Sequence, residues 1–169
     1  MIVWFKGISG VGKSTLGRFY YLKKKKKNKN LIFLDGDIFR SLFNNDLGYS
    51  LNDRNRNANR LCNFVKFLDL HKINVIISAN LTSKRYRIWA KKNLKNYISI
   101  LIESDLSILQ KRDKKKIYEK KKNIVGIDIS YKKPDNCDIY IKNNSNKKYF
   151  LNNTKIIDKM IKQKKLTIY

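Results

Sequence analysis

Nine residues, G-I-S-G-V-G-K-S-T at positions 7–15, follow directly on I-V-W-F-K and restrict the fold more than anything else in the chain. A short run of β-branched and aromatic residues that stops at glycine suits a strand buried on both faces. Helical sequence begins within G-K-S-T-L-G-R-F-Y-Y-L. Between the two, glycines clear side chains from the turn so that backbone N–H groups approach a polyanion, and the helix N-terminus adds its dipole. The spacing G-x-x-x-x-G-K-[ST] between a strand and a helix is that of a phosphate-binding P-loop. Gly7, Ser9, Gly10, Val11, Gly12, Lys13, Ser14 and Thr15 are therefore the candidate ATP-binding residues. Lys13 is expected to reach the β- and γ-phosphates and Ser14 to ligate Mg2+. Such loops serve kinases, GTPases and ATPases alike, so the loop alone names no acceptor. No guanine-reading N-K-x-D segment follows it, which counts against a GTPase.

The remainder alternates between strand-like and helical stretches. Residues 31–35, 74–79, 97–103 and 137–142 read as further strands. Leu61, Phe64, Val65 and Leu68 recur at helical spacing, and residues 154–165 form a closing amphipathic helix with Thr154 as its N-cap. The lysine run at 23–27 is expected to fray the first helix into a solvated connector. This alternation implies an α/β fold of the P-loop NTPase type: three layers, a mostly parallel sheet, helices on both faces. At 169 residues the expectation is one domain over 1–169, with a C-terminal helix at about 154–165.

Charge is the loudest feature of composition, 39 Lys and Arg against 13 Asp and Glu, a formal +26. The excess is mostly lysine scattered among asparagine, without Arg-Gly or aromatic interleaving. Lys, Asn and Ile share A/T-rich codons, so base composition alone can generate it. That argues against nucleic acid as the main partner and for a positive field that draws in small anionic nucleotides. No apolar run approaches the length of a membrane span and no leader peptide is visible, so a cytoplasmic protein is expected. Cys62 and Cys137 lack metal or disulfide spacing and read as small buried hydrophobes. His71, the only histidine, reads as a helix-end or surface residue.

Past the second strand come L-D-G-D-I-F-R at 34–40, D-L-G-Y-S at 46–50 and D-R-N-R-N at 53–57. R-D-K-K follows at 112–115 and G-I-D at 126–128. In this order the segments resemble the adenylylsulfate kinases, over residues 2 to about 141. The resemblance implies ATP and Mg2+ as cofactors, a lid at about 110–130 opening with Arg112 and Asp113, and a homodimer. Arg112 would cover ATP on closure and complete the catalytic set with Lys13 and Asp37. The residues suit these roles chemically. Asp35 and Asp37 end a strand at the carboxyl edge of a parallel sheet, where ligands bind. Asp37 can orient a hydroxyl or, with Asp35 and Ser14, hold magnesium. Arg40 and Arg54 carry guanidinium forks that grip anionic oxygens. Asn57 can read a base edge or a ribose hydroxyl. Singly, each of these charges would more often be a solvated surface residue, and it is the matched order that favours the functional reading.

Departures from the family pattern cluster around the acceptor base. Tyr49 keeps one aromatic platform, but Ile124 stands where the family's second has phenylalanine. Asn80 and Thr82 replace phenylalanine and serine of A-F-I-S-P, Ser130 and Lys132 replace P and E of G-I-D-x-P-Y-E, and the lid is short. Loss of one stacking face weakens base binding by about 1–3 kcal/mol. The candidate acceptor-binding set is Asp37, Arg40, Tyr49, Arg54, Asn57, Asn80, Leu81 and Ile124. A changed acceptor is the simplest explanation, and the cytidine diphosphoramidate kinases of capsule biosynthesis are similar in this respect. The expected reaction is transfer of the ATP γ-phosphoryl group to a ribose 3′-hydroxyl, with cytidine diphosphoramidate ranked above adenylylsulfate. A non-catalytic nucleotide- or nucleic-acid-binding protein is the competing reading from another class.

Overall fold

Every strand of the sheet runs parallel, and the central one is buried along its whole length. The computed structural model describes residues 1–112 and 122–169; Asp113 and most of the expected lid lie outside them. The strands are β1 (Ile2–Lys6), β2 (Leu31–Asp35), β3 (Asn74–Ser78), β4 (Tyr97–Glu103) and β5 (Ile139–Lys142), in the order β2-β3-β1-β4-β5. The order reverses at β1, so the crevice beyond its carboxyl end is a topological switch point.

Period-two alternation sends successive β1 side chains to opposite faces. Val3 and Phe5 pack with Leu16 and Tyr20 of α1 (Lys13–Lys25), Leu109 of α5 (Leu106–Lys111), Phe150 of α6 (Lys147–Asn152) and Ile157 of α7 (Thr154–Gln163). Ile2 and Trp4 pack with Leu61, Cys62 and Val65 of α3 (Leu51–Leu70) and Ala90 of α4 (Lys84–Asn93). Phe39, from the short helix α2 (Gly36–Ser41), joins this second face. The α/β reading with helices on both faces matches this arrangement.

Three local expectations are corrected. Helix α1 does not fray at Lys23 but runs to Lys25, because the lysines find acceptors. Lys23 and Lys24 pair with Asp158 of α7 at 3.0 and 2.7 Å, and Lys25 Nζ donates to the carbonyls of Lys29 and Leu31. Thr154 is not the cap of α7; it is the first helical residue, buried, and Asn153 occupies the cap position. The last strand starts at Ile139 and Cys137 is only half-buried, its backbone N–H donating to the hydroxyl of Tyr140. Phe64 sits on the helix as the spacing requires but is 38% exposed, stacked on Phe39 at 5.5 Å. His71 caps α3 at the surface.

Asp158 ties α1 to α7 by accepting from Tyr20 Oη, Lys23 and Lys24. Burial pushes its carboxyl upward, but these three donors outweigh it and hold the group below its ordinary value of 3.8. A depressed carboxyl contributes stability above its unfolded value that is lost as pH falls through the folded one. Asp158→Asn should lower Tm by about 2–6 °C at pH 7. The gap from wild type should close as pH drops below 3.8, read by thermal melts across pH.

Candidate active site

The crevice beyond β1 holds a cavity of about 350 Å3. One wall is the glycine loop, with Gly7, Ser9, Gly10, Gly12, Lys13, Ser14 and Thr15 lining it. The loop's shape depends on Gly12, which has φ 99° and lies so near Asn143 and Phe150 that a Cβ would meet Asn143 Nδ2 at 2.8 Å. Val11, expected at this wall, does not line the cavity: its side chain is in the core, and its carbonyl accepts from Asn143 Nδ2 at 2.9 Å.

Lys13 Nζ donates to the Ile8 carbonyl at 2.8 Å, folding the ammonium back onto its own loop. Burial draws its pKa down to about 8, against the smaller opposing fields of Asp37 and Asp35. Ser14 Oγ donates to Asp35 Oδ2 at 2.6 Å and lies 3.1 Å from Ser78 Oγ. Strand register puts these groups together, since Asp35 pairs with Ser78 across β2 and β3. Asp35 also caps α2, its Oδ1 accepting from the Asp37 N–H at 2.9 Å. Asp37 itself is exposed and lines the cavity.

The opposite wall comes from α2, α3 and the segments after β3 and before Gly126. Arg40 is 6% exposed and its Nη1 donates to the carbonyls of Leu47 and Gly48 at 2.9 and 2.7 Å. Arg54 Nε donates to the Tyr49 carbonyl and Nη2 to that of Asn123, both at 2.9 Å. Burial, then the neighbouring Arg40, lowers the Arg54 pKa. The two guanidinium groups lie 4.8 and 5.4 Å from the Tyr49 ring, holding it by cation–π contact. Ser50 caps α3, accepting from the Asp53 N–H. Asp46 pairs bidentately with Arg60. Ile124 lines the cavity, its N–H held by Asp128 Oδ2 at 2.9 Å. Asn57 and Asn80 also line it, and the Oδ1 of each is buried with no hydrogen-bond partner among the described residues.

Two further expected site residues lie elsewhere. Leu81 is fully buried in the core, because side chains alternate after β3: Asn80 and Thr82 face the cavity and the residue between them cannot. Arg112 closes α5 outside the cavity, donating to the carbonyls of Asn143 and Ser145 at 3.0 Å. Sequence reading missed Ser78 and Asn143, which follow the apolar runs of β3 and β5 at the sheet's carboxyl edge. That position is the only signal either carries.

The sequence profile of the adenylylsulphate kinase family matches residues 1–142. The chain belongs to that family. Cytidine diphosphoramidate kinase of Campylobacter jejuni is 37% identical over 147 residues, 84% of this chain and 85% of that one. Adenylyl-sulfate kinase of Buchnera aphidicola (Acyrthosiphon pisum) is 31% identical over 168 residues, 95% and 80% of the two chains. The Mycobacterium tuberculosis APS kinase CysC, solved with AMPPNP and APS, superposes with a TM-score of 0.82 at 26% identity, covering 95% of this chain and 96% of its own. This member is thus a nucleotide kinase, a phosphotransferase with a hydroxyl acceptor. Among the described residues no helix is long and apolar enough to cross a membrane.

A lysine whose pKa falls on folding costs stability while both states are charged, and the cost fades as pH rises from the folded value toward 10.5. Lys13→Met in the ligand-free kinase should therefore raise Tm by a few degrees at pH 7. The gain should shrink above pH 8, read by thermal melts between pH 7 and 10.

Proposed function

We propose that this kinase transfers the γ-phosphoryl group of ATP to the ribose 3′-hydroxyl of a nucleotide carrying a further anionic group at its 5′ end. Cytidine diphosphoramidate is the favoured acceptor. The supporting observation is one continuous cavity that joins the phosphate loop to Asp37, Tyr49, Arg54, Asn57 and Asn80. Donor and acceptor bound there face each other without an intervening wall.

The loop amides and Lys13 hold the β- and γ-phosphates, Lys13 leaving the Ile8 carbonyl for the stronger acceptor. Ser14, Asp35 and Ser78 form a cluster of hard oxygens, the donor chemistry that suits Mg2+ completed by phosphate and water. Ser14 would hold the ion directly and Asp35 and Asp37 through water; when bound it neutralises charge on the phosphates. Asp37 orients the 3′-hydroxyl and accepts its proton as the oxygen bonds to the γ-phosphorus and the bond to ADP breaks. Arg54, with Arg40 behind it, sets the positive wall against the acceptor's 5′ anion. Arg112 reaches ATP only by giving up its carbonyls at Asn143 and Ser145, which is the movement of a lid residue.

The base is held between Tyr49 and the aliphatic Ile124, while Asn57 and Asn80 offer unsatisfied carbonyl oxygens. A buried acceptor without a donor is costly, and the exocyclic amine of cytosine supplies one. The kinship with the Campylobacter jejuni cytidine diphosphoramidate kinase supports the same choice. Adenylylsulfate is the second reading, favoured by the Buchnera relative and by the APS-bound structural neighbour. Adenine also carries an exocyclic amine, but it would stack here on one aromatic face.

With ATP and Mg2+, mass spectrometry should find 3′-phosphorylated product from cytidine diphosphoramidate in preference to adenylylsulfate. Lys13→Ala should abolish turnover and Asp37→Asn should cut kcat by about 100-fold or more. Preference for the adenine compound reverses the acceptor ranking. Undiminished turnover in Asp37→Asn removes its assigned role, and ATP consumption with neither acceptor sinks the proposal.

A further inference from the structure

A second cavity of about 190 Å3 lies between α4, β1, β4 and residues 134–137, and it shares no lining residue with the first. Four of its lining residues are cations. Lys84, Arg87 and Lys91 stand at i, i+3 and i+7 on one face of α4, and Lys6 comes from the end of β1. Lys6 is 3% exposed, yet it forms no ion pair and no hydrogen bond with a described residue. Its ammonium lies 5.4 Å from the Tyr97 ring centroid, a cation–π contact. Tyr97 is itself 7% exposed, and its hydroxyl is buried without a partner among the described residues.

Among the described residues no carboxylate pairs with Lys6, and Asp138 acts on it only through its field. Asp138 spends Oδ2 on the Ser99 N–H and Oγ, and Oδ1 on Lys164. Glu103 pairs with Lys133 at 2.8 Å. The Cys137 thiol, pushed up chiefly by burial, is uncharged at neutral pH. Asp135 is the single carboxylate in the lining and it is exposed. Burial drags the Lys6 pKa to about 8, with Arg87 adding to the fall and the field of Asp138 only partly opposing it.

Ammonium, guanidinium and phenol groups are donors, and a cavity of donors with four positive charges against one negative fits an acceptor-only dianion. Arg87 already holds the carbonyls of Leu81 and Thr82 through Nη1, which fixes its plane at the cavity wall. We propose that this cavity is a second anion site, taking a phosphate-type oxyanion, either free or as the terminal group of a small phosphomonoester. It works apart from the glycine loop, so both can be filled at once.

The loop also binds phosphate, so the test is run with it occupied. Isothermal titration calorimetry of the full chain, saturated with AMPPNP and Mg2+, is followed with inorganic phosphate, pyrophosphate and ribose 5-phosphate in turn. One binding event should persist under saturation and in the Lys13→Ala protein. It should weaken at least tenfold in Lys6→Met and in the double surface variant Lys84→Glu with Lys91→Glu, which keeps the core intact. Tighter binding of the sugar phosphate than of inorganic phosphate would identify an ester ligand, and the reverse a free anion. In parallel, the Lys6 side-chain NMR signal should titrate near pH 8 in the free protein and higher with anion bound. Loss of all phosphate binding under AMPPNP, or a surviving event indifferent to both sets of substitutions, overturns the site.

Discussion

The glycine loop can be a rigid anion cradle only because the strand beneath it is immobile. β1 is hydrogen-bonded on both sides and packed on both faces, so its carboxyl end is a fixed point on which a charged turn can be mounted. Mounting it there has a cost. Lys13, half-buried at the helix start, is left with its own loop's carbonyl as partner, and Ser14 Oγ is held by Asp35 and Ser78. Each is a group whose ideal partner is charged and comes from outside. Groups of this kind belong to sites whose binding energy must be available to a ligand rather than spent within the fold.

The acceptor wall is built on another principle. Where the loop relies on backbone, this wall relies on two arginines that each do structural work before any ligand arrives. Arg40 gathers the carbonyls before Tyr49, and Arg54 spans from Tyr49 to Asn123. Between them they hold the aromatic platform and tether the segment carrying Ile124. Replacing Arg54 by lysine would keep the charge and lose the span, since Nε and Nη2 reach carbonyls on two different segments and a single ammonium replaces both.

Much of this was legible in the sequence, but unevenly. The loop could be read outright, because glycine spacing between a strand and a helix dictates its own geometry. The sheet could be read from four further apolar runs, and its carboxyl edge from Asp35 and Asp37. The acceptor residues became readable only as an ordered series, since a lone arginine or asparagine carries no signature of burial. What stayed hidden was which carbonyl each arginine would meet, because this depends on loop paths rather than on residue type. Leu81 was misassigned for a simpler reason. The alternation that exposes Asn80 and Thr82 to the cavity had already excluded it, and motif order outweighed periodicity.

The lysines show where composition misleads in both directions. Read as a block, 23–27 looks like solvated punctuation, yet Asp158 and two carbonyls draw three of its members into helix α1. Scattered lysines look like codon bias, and most of them do face solvent. Lys6 does not fit that explanation: drift in base composition can add lysine where water solvates it, but a nearly enclosed ammonium opposes folding wherever it lacks a counter-charge. Its place next to a phosphate-binding turn, under a helix face carrying three more cations, calls for something that offsets that cost. An anion in the adjoining cavity does so, and the Tyr97 ring alone, neutral and already buried, does not.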